Sequence, residues 1–92
     1  MKLKKIFLMS IFFLSLVLLP VLAKSLNEWI ENGMNLCCEG RYEEAVKCYD
    51  KALEINPKNI DVLTKKGTAL IDLEDYEESI KCFNSVLEID PK

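Results

Sequence analysis

Arg41-Tyr42-Glu43-Glu44-Ala45-Val46-Lys47-Cys48-Tyr49 returns 34 residues later as Asp75-Tyr76-Glu77-Glu78-Ser79-Ile80-Lys81-Cys82-Phe83. At the same offset Leu53-Glu54-Ile55-Asn56-Pro57-Lys58 returns as Leu87-Glu88-Ile89-Asp90-Pro91-Lys92. A fixed period of this length marks a helical repeat, in which each unit buries its apolar face by stacking on a neighbour. The period sets an all-α fold as the expectation and puts binding ahead of catalysis.

Local signals around these stretches draw the helices. Ser25-Leu26-Asn27-Glu28 has the form of a capping box, and Asp75-Tyr76-Glu77-Glu78 has it again. Leu26, Trp29, Ile30, Gly33 and Leu36 fall at helical spacing on one face. Gly33 and Gly67 lie mid-helix, where glycine costs about 1 kcal/mol against alanine. Their recurrence predicts close approach of a partner helix. Along the second helix of each unit small residues alternate with aromatic ones, so a ring can sit over a small neighbour. Gly40 closes the first helix of the first unit. Glu74 stands at the matching place in the second, so that turn is expected to do without the glycine conformation. Asn56-Pro57 and Asp90-Pro91 stop the second helices, because proline cannot continue the hydrogen-bond ladder.

Charge divides the chain in two. Residues 1–23 hold Lys2, Lys4 and Lys5, no acid, and a run from Ile6 to Leu19 that is apolar apart from Ser10 and Ser15. The remaining nine basic residues and all fifteen acids lie in 24–92, a formal charge of −6. A net acidic folded part argues against nucleic-acid binding, which needs a basic stripe to displace counterions. Pro20 and then Val21-Leu22-Ala23 before Lys24 resemble the end of a secretory signal peptide. The competing reading is an uncleaved anchor: Ile6 to Ala23 would span ~27 Å as a helix, just short of a ~30 Å hydrocarbon core. Lysines before the span would keep the N-terminus cytoplasmic and put the repeats outside. A buried core helix is the third alternative, but the run has no polar face to leave in water.

Taken together, the repeat positions resemble the tetratricopeptide repeat, W-x2-L-G-x2-Y…A-x3-F…P in 34 residues. The first unit supplies Trp29, Gly33, Leu36, Ala45, Tyr49, Ala52 and Pro57. The second supplies Leu63, Gly67, Leu70, Ser79, Phe83, Val86 and Pro91. Asn32 and Lys66 depart from the family by replacing the leucine before the glycine, each putting a polar group near the helix pair unless it snorkels to water. The resemblance implies an α-solenoid of four antiparallel helices after the N-terminal hydrophobic helix. Its units are 1–23 as leader or anchor, 26–59 as the first repeat and 60–92 as the second. In that family the first helices line a concave groove that holds peptides. The matching positions here are Asn27, Ile30, Met34, Cys37 and Cys38, then Asp61, Thr64, Thr68, Ile71 and Asp72. Apolar or basic peptides fit this set better than acidic ones. The lysine and asparagine set with which some relatives clamp a carboxylate is not evident, because Lys65 and Lys66 do not occupy groove positions.

An exposed repeat edge is the other expected surface. Ile71, Ile80 and Leu87 would normally meet a following repeat. Leaving such side chains bare forgoes several kcal/mol at ~25 cal/mol per Å2. The edge is expected to pair with another copy, to dock a partner, or to belong to a fragment of a longer superhelix; a marginal monomer with a wet edge is the plain alternative.

Chemistry beyond binding has little support. Cys37, Cys38, Cys48 and Cys82 make an even count, but no pair is expected within the ~7 Å Cα limit for a disulfide. Zinc would want C-x2-C-type spacing or histidines, and the chain has no histidine. The cysteines read best as small apolar side chains, with intermolecular or redox pairing as the alternative. Glu43-Glu44 and Glu77-Glu78 open helices, where acids favour the dipole, and are not read as catalytic pairs. The expectation is a non-enzymatic chain with no cofactor and no metal. Its partner is a protein or peptide, with self-association through the edge as the alternative, and a membrane through residues 6–23 if these are retained. It would be secreted, or membrane-anchored with the repeats outside the cytoplasm.

Overall fold

A computed structural model describes residues 24–92. The leader or anchor expected in 1–23 lies outside the described residues. Four helices follow one another: α1 Leu26–Cys38, α2 Tyr42–Ile55, α3 Ile60–Asp72 and α4 Tyr76–Ile89. Their lengths of 13, 14, 13 and 14 residues repeat with the sequence. α1 packs on α2, α2 on α3 and α3 on α4. The result is two helical hairpins stacked side by side, with no strand among the described residues.

Caps account for most helix starts. The Ser25 hydroxyl accepts from the Glu28 amide at 3.2 Å, and the Asp75 carboxylate from the Glu78 amide at 3.4 Å. Asn59, not singled out in the sequence, caps α3 by accepting from the Val62 amide at 3.1 Å. Each such cap is worth about 1 kcal/mol. α2 starts at Arg41 without a side-chain cap. There Arg41 instead pairs with Glu39 and Glu44 on the surface. Both second helices end before proline with the same extended residue, Asn56 and Asp90. That is the conformation a following proline imposes. Their side chains accept from the amides of Lys58 and Lys92, each at 3.2 Å.

The core sits where the hairpins meet. Ala45, Tyr49, Ala52, Val62 and Ala69 form its buried centre, with Leu26, Trp29, Ile30, Leu36, Val46 and Leu53 packed around them. The expected close approach at the glycines is made by rings. A Cβ built on Gly33 would lie 2.5 Å from Cε1 of Tyr49, and one on Gly67 2.8 Å from Cζ of Phe83. Each hairpin is therefore pinned by an aromatic ring of its second helix lying on a glycine of its first. Tyr49 is 2 % exposed, and burying such a ring favours the hairpin by roughly 1.5–3 kcal/mol.

Two departures from the repeat pattern have structural answers. Ser79, in an alanine position, is buried, and its hydroxyl donates to the Gly67 carbonyl at 2.8 Å. Lys66 does not simply snorkel: its ammonium meets Asp50 of α2 at 2.6 Å, tying one hairpin to the other. Burial alone would depress its pKa, but the Asp50 carboxylate outweighs that and raises it.

The expectation for Glu74 is overturned. Glu74 has φ +62°, in the left-handed region that Gly40 occupies at φ +76°. Both turns close the same way. The Gly40 and Arg41 amides donate to Cys37 and Leu36 carbonyls, and the Glu74 and Asp75 amides to Ile71 and Leu70 carbonyls. The six-to-one bond of this closure needs a left-handed residue after the helix. The turn is kept at the expense of local strain rather than rebuilt around the missing glycine.

Candidate functional site

The first helices of the two hairpins, α1 and α3, border a cleft of about 300 Å3. Met34, Cys37 and Cys38 line it from α1, and Asp61, Thr64, Lys65, Thr68, Ala69 and Asp72 from α3. Tyr49 of α2 closes it from beneath. Helical spacing makes both walls: 34, 37 and 38 share one face of α1, and 61, 64, 65, 68 and 72 one face of α3.

Seven of the ten expected groove positions line this cleft: Met34, Cys37, Cys38, Asp61, Thr64, Thr68 and Asp72. The other three lie elsewhere. Ile30 is half-buried and packs on the core. Asn27 is exposed on the first turn of α1. Ile71 is exposed but is not among the cleft's lining residues. Lys65, excluded from the groove in the sequence reading, lines it, because the α3 face is wide enough to carry a residue beside the expected stripe. Tyr49, a packing ring in the repeat pattern, also lines the cleft. No local sequence signal marks that second role, which depends on how the hairpins stack.

The cleft's polar groups are largely spoken for. The Lys65 ammonium binds the Asp61 carboxylate at 2.5 Å. Thr64 and Thr68 donate their hydroxyl hydrogens to the Ile60 and Thr64 carbonyls at 2.8 and 2.9 Å. The Tyr49 hydroxyl lies 3.7 Å from Cys37 Sγ. Burial, then the Cys37 contact, raises the Tyr49 pKa well above the ordinary 10.0, so the phenol is neutral at physiological pH. Asp72 has no ion-pair partner among the described residues, where the six ion pairs involve other groups.

The four cysteines are free: Cys38 is exposed, Cys37 and Cys48 half-buried, and Cys82 buried with its pKa raised by burial. No metal-binding cluster and no helix long and apolar enough to cross a membrane occurs among the described residues.

A second surface lies at the far side of the stack. Val46 and Leu53 of α2 are partly buried against the core that includes Val62 and Ala69 of α3. Their equivalents on α4, one period later, are Ile80 and Leu87, which are 60 % and 56 % exposed. Tyr76, at the start of α4, is exposed as well.

Comparison with known families agrees with this architecture. The family model described as TPR repeat matches residues 35–73, from the last turn of α1 to just past the end of α3. The one described as Tetratricopeptide repeat matches residues 60–92, the second hairpin. No curated protein matches the chain. Two family matches that jointly cover residues 35–92, laid on two stacked hairpins, mean that the chain belongs to the tetratricopeptide repeat family, whose repeats generally mediate protein–protein interaction.

Proposed function

We propose that the chain is a non-enzymatic interaction module that holds an extended peptide of a partner protein in the cleft between α1 and α3. The observation that carries this reading is the cleft itself, with an apolar, sulfur-rich wall facing a polar one over a buried tyrosine. Such a surface offers both contact area and orienting groups. Methionine suits adaptable packing against a peptide side chain. Its place of action, on this reading, is the membrane surface or the outside of the cell. Support comes from the basic start and apolar run of residues 2–19.

Affinity capture with the full chain tests the reading. Met34→Glu puts a charge on the apolar wall and should release the captured partner, while Ile80→Ser with Leu87→Ser should leave it bound. Retention by Met34→Glu would refute cleft binding, and loss by the α4 variant would move the contact to that edge.

That opposite outcome belongs to a second reading, assembly through the α4 edge, favoured by the exposure of Ile80 and Leu87. A second copy stacked head to tail is a poor occupant. It would lay α1 on α4, and α1 has Glu28 and Asn35 where α3 has Val62 and Ala69.

A further inference from the structure

Donors and acceptors in the cleft are unevenly distributed, and the imbalance specifies a ligand. Along α3, Thr64, Thr68 and Asp72 are spaced four residues apart, so their side chains form one row. Both threonine hydrogens are committed to the helix's own carbonyls. What the hydroxyls turn outward is lone pairs, and an ionised carboxylate has only acceptors. The one cation on this wall, Lys65, is held by Asp61. A ligand on the α3 wall therefore meets a row of acceptors.

The field points the same way. Cys38 and Asp72, the last residues of α1 and α3, both line the cleft, so both helix C-termini border it. Neither helix has a basic residue in its last turn. Helix C-termini carry partial negative charge and favour cations. Arg41, the basic residue that follows α1, is engaged by Glu39 and Glu44. Opposite stand Met34, Cys37 and Cys38, a soft apolar surface.

We infer that the cleft selects a peptide segment pairing an arginine, set on Thr68 and Asp72, with an apolar side chain set on Met34, Cys37 and Cys38. Guanidinium is favoured because it offers five donors and no acceptor, and its planar fork can reach a carboxylate and a hydroxyl together. An acidic peptide would meet lone pairs and negative charge. This inference rests on the cleft being the binding surface and adds the chemistry of its occupant.

Fluorescence anisotropy with the full chain tests it. The probes are three labelled decapeptide pools in a Gly-Ser background. Each carries one leucine and, one to four residues away, an arginine, a glutamine or a glutamate. The arginine pool should bind about two- to fivefold tighter than the glutamine pool, the range expected of one exposed charge pair, and the glutamate pool should bind weakest. Asp72→Asn, at an exposed site, should bring the ratio of arginine-pool to glutamine-pool affinity down to about one. Lys65→Gln, by freeing Asp61, should widen the advantage, and added salt should shrink it. Equal or tighter binding of the glutamate pool, or an arginine preference untouched by Asp72→Asn, overturns the inference. So does binding by none of the pools. In each of those cases release of a captured partner by Met34→Glu would show the cleft reading intact and only the ligand chemistry wrong, whereas retention would bring down both.

Discussion

Replacing Glu74 with glycine should make this protein more stable, although it removes every side-chain atom at the site. Glu74 is held at φ +62°, where a residue with a Cβ is strained by roughly 1–2 kcal/mol. Glycine relieves that strain but has more freedom to lose on folding, roughly 0.5–1 kcal/mol. Removing a negative charge just past the C-terminus of α3 adds about 0.3 kcal/mol in the same direction. The net gain is about 1 kcal/mol, which for a domain of this size raises Tm by about 4–8 °C. Urea unfolding followed by circular dichroism measures it, with an unchanged m value showing that the unfolded state is not responsible. Glu74→Gln separates charge from backbone: it keeps the Cβ and should gain only the few tenths due to charge. Gly40→Glu, the reciprocal change at φ +76°, should cost about as much as Glu74→Gly gains. A Glu74→Gly protein no more stable than Glu74→Gln would refute the claim that the second turn is strained.

Other perturbations follow from the packing. Gly33→Ala and Gly67→Ala should each destabilise by about 1 kcal/mol, because overpacking against a ring exceeds alanine's helix preference. Gly33 should be the worse, since its Cβ would sit closer to the ring; a gain in stability at either site in thermal melts would contradict the ring-on-glycine contact. Lys66→Gln should lose about 0.5–1 kcal/mol, as expected of a partly exposed pair, and high salt should shrink the difference. Alkaline pH should destabilise the protein. The folded pKa values of Tyr49, Lys66 and Cys82 are all raised, so their contributions are intact below the unfolded values. They are lost as pH rises through the interval up to the folded ones. Stability measured in urea should hold from pH 7 to 8 and fall above about pH 9. Tyr49→Phe should flatten part of that fall, and a stability constant to pH 11 would show that none of the three groups is protected by folding.

How much of this was legible in the sequence depended on the range of the interaction. The 34-residue echo, the Ser25 and Asp75 caps and the Asn-Pro and Asp-Pro stops act within a turn or two, and the helices begin and end accordingly. Period-matched positions also led to seven of the residues in the cleft. What sequence did not reveal depends on how elements meet. Tyr49 lines the cleft only because of how the second hairpin stacks on the first. Lys66 finds Asp50 across the junction, sixteen residues away in sequence. Residue preference alone points Glu74 away from the left-handed region, because it leaves out the closing hydrogen bonds. The Asp75 amide and the Leu70 carbonyl require the left-handed turn, and tertiary packing of two helices outweighs a strain of roughly 1–2 kcal/mol.

Photo-crosslinking in the producing cell separates cleft binding from edge assembly. A photoreactive residue is placed in the full chain at Cys38 in the cleft, at Ile80 on the α4 edge, or at exposed Lys47 on α2 as a control. Binding in the cleft gives a discrete protein adduct from position 38 that Met34→Glu abolishes, and none from 47. An adduct from position 80 alone would contradict it and identify the α4 face as the surface that meets the partner.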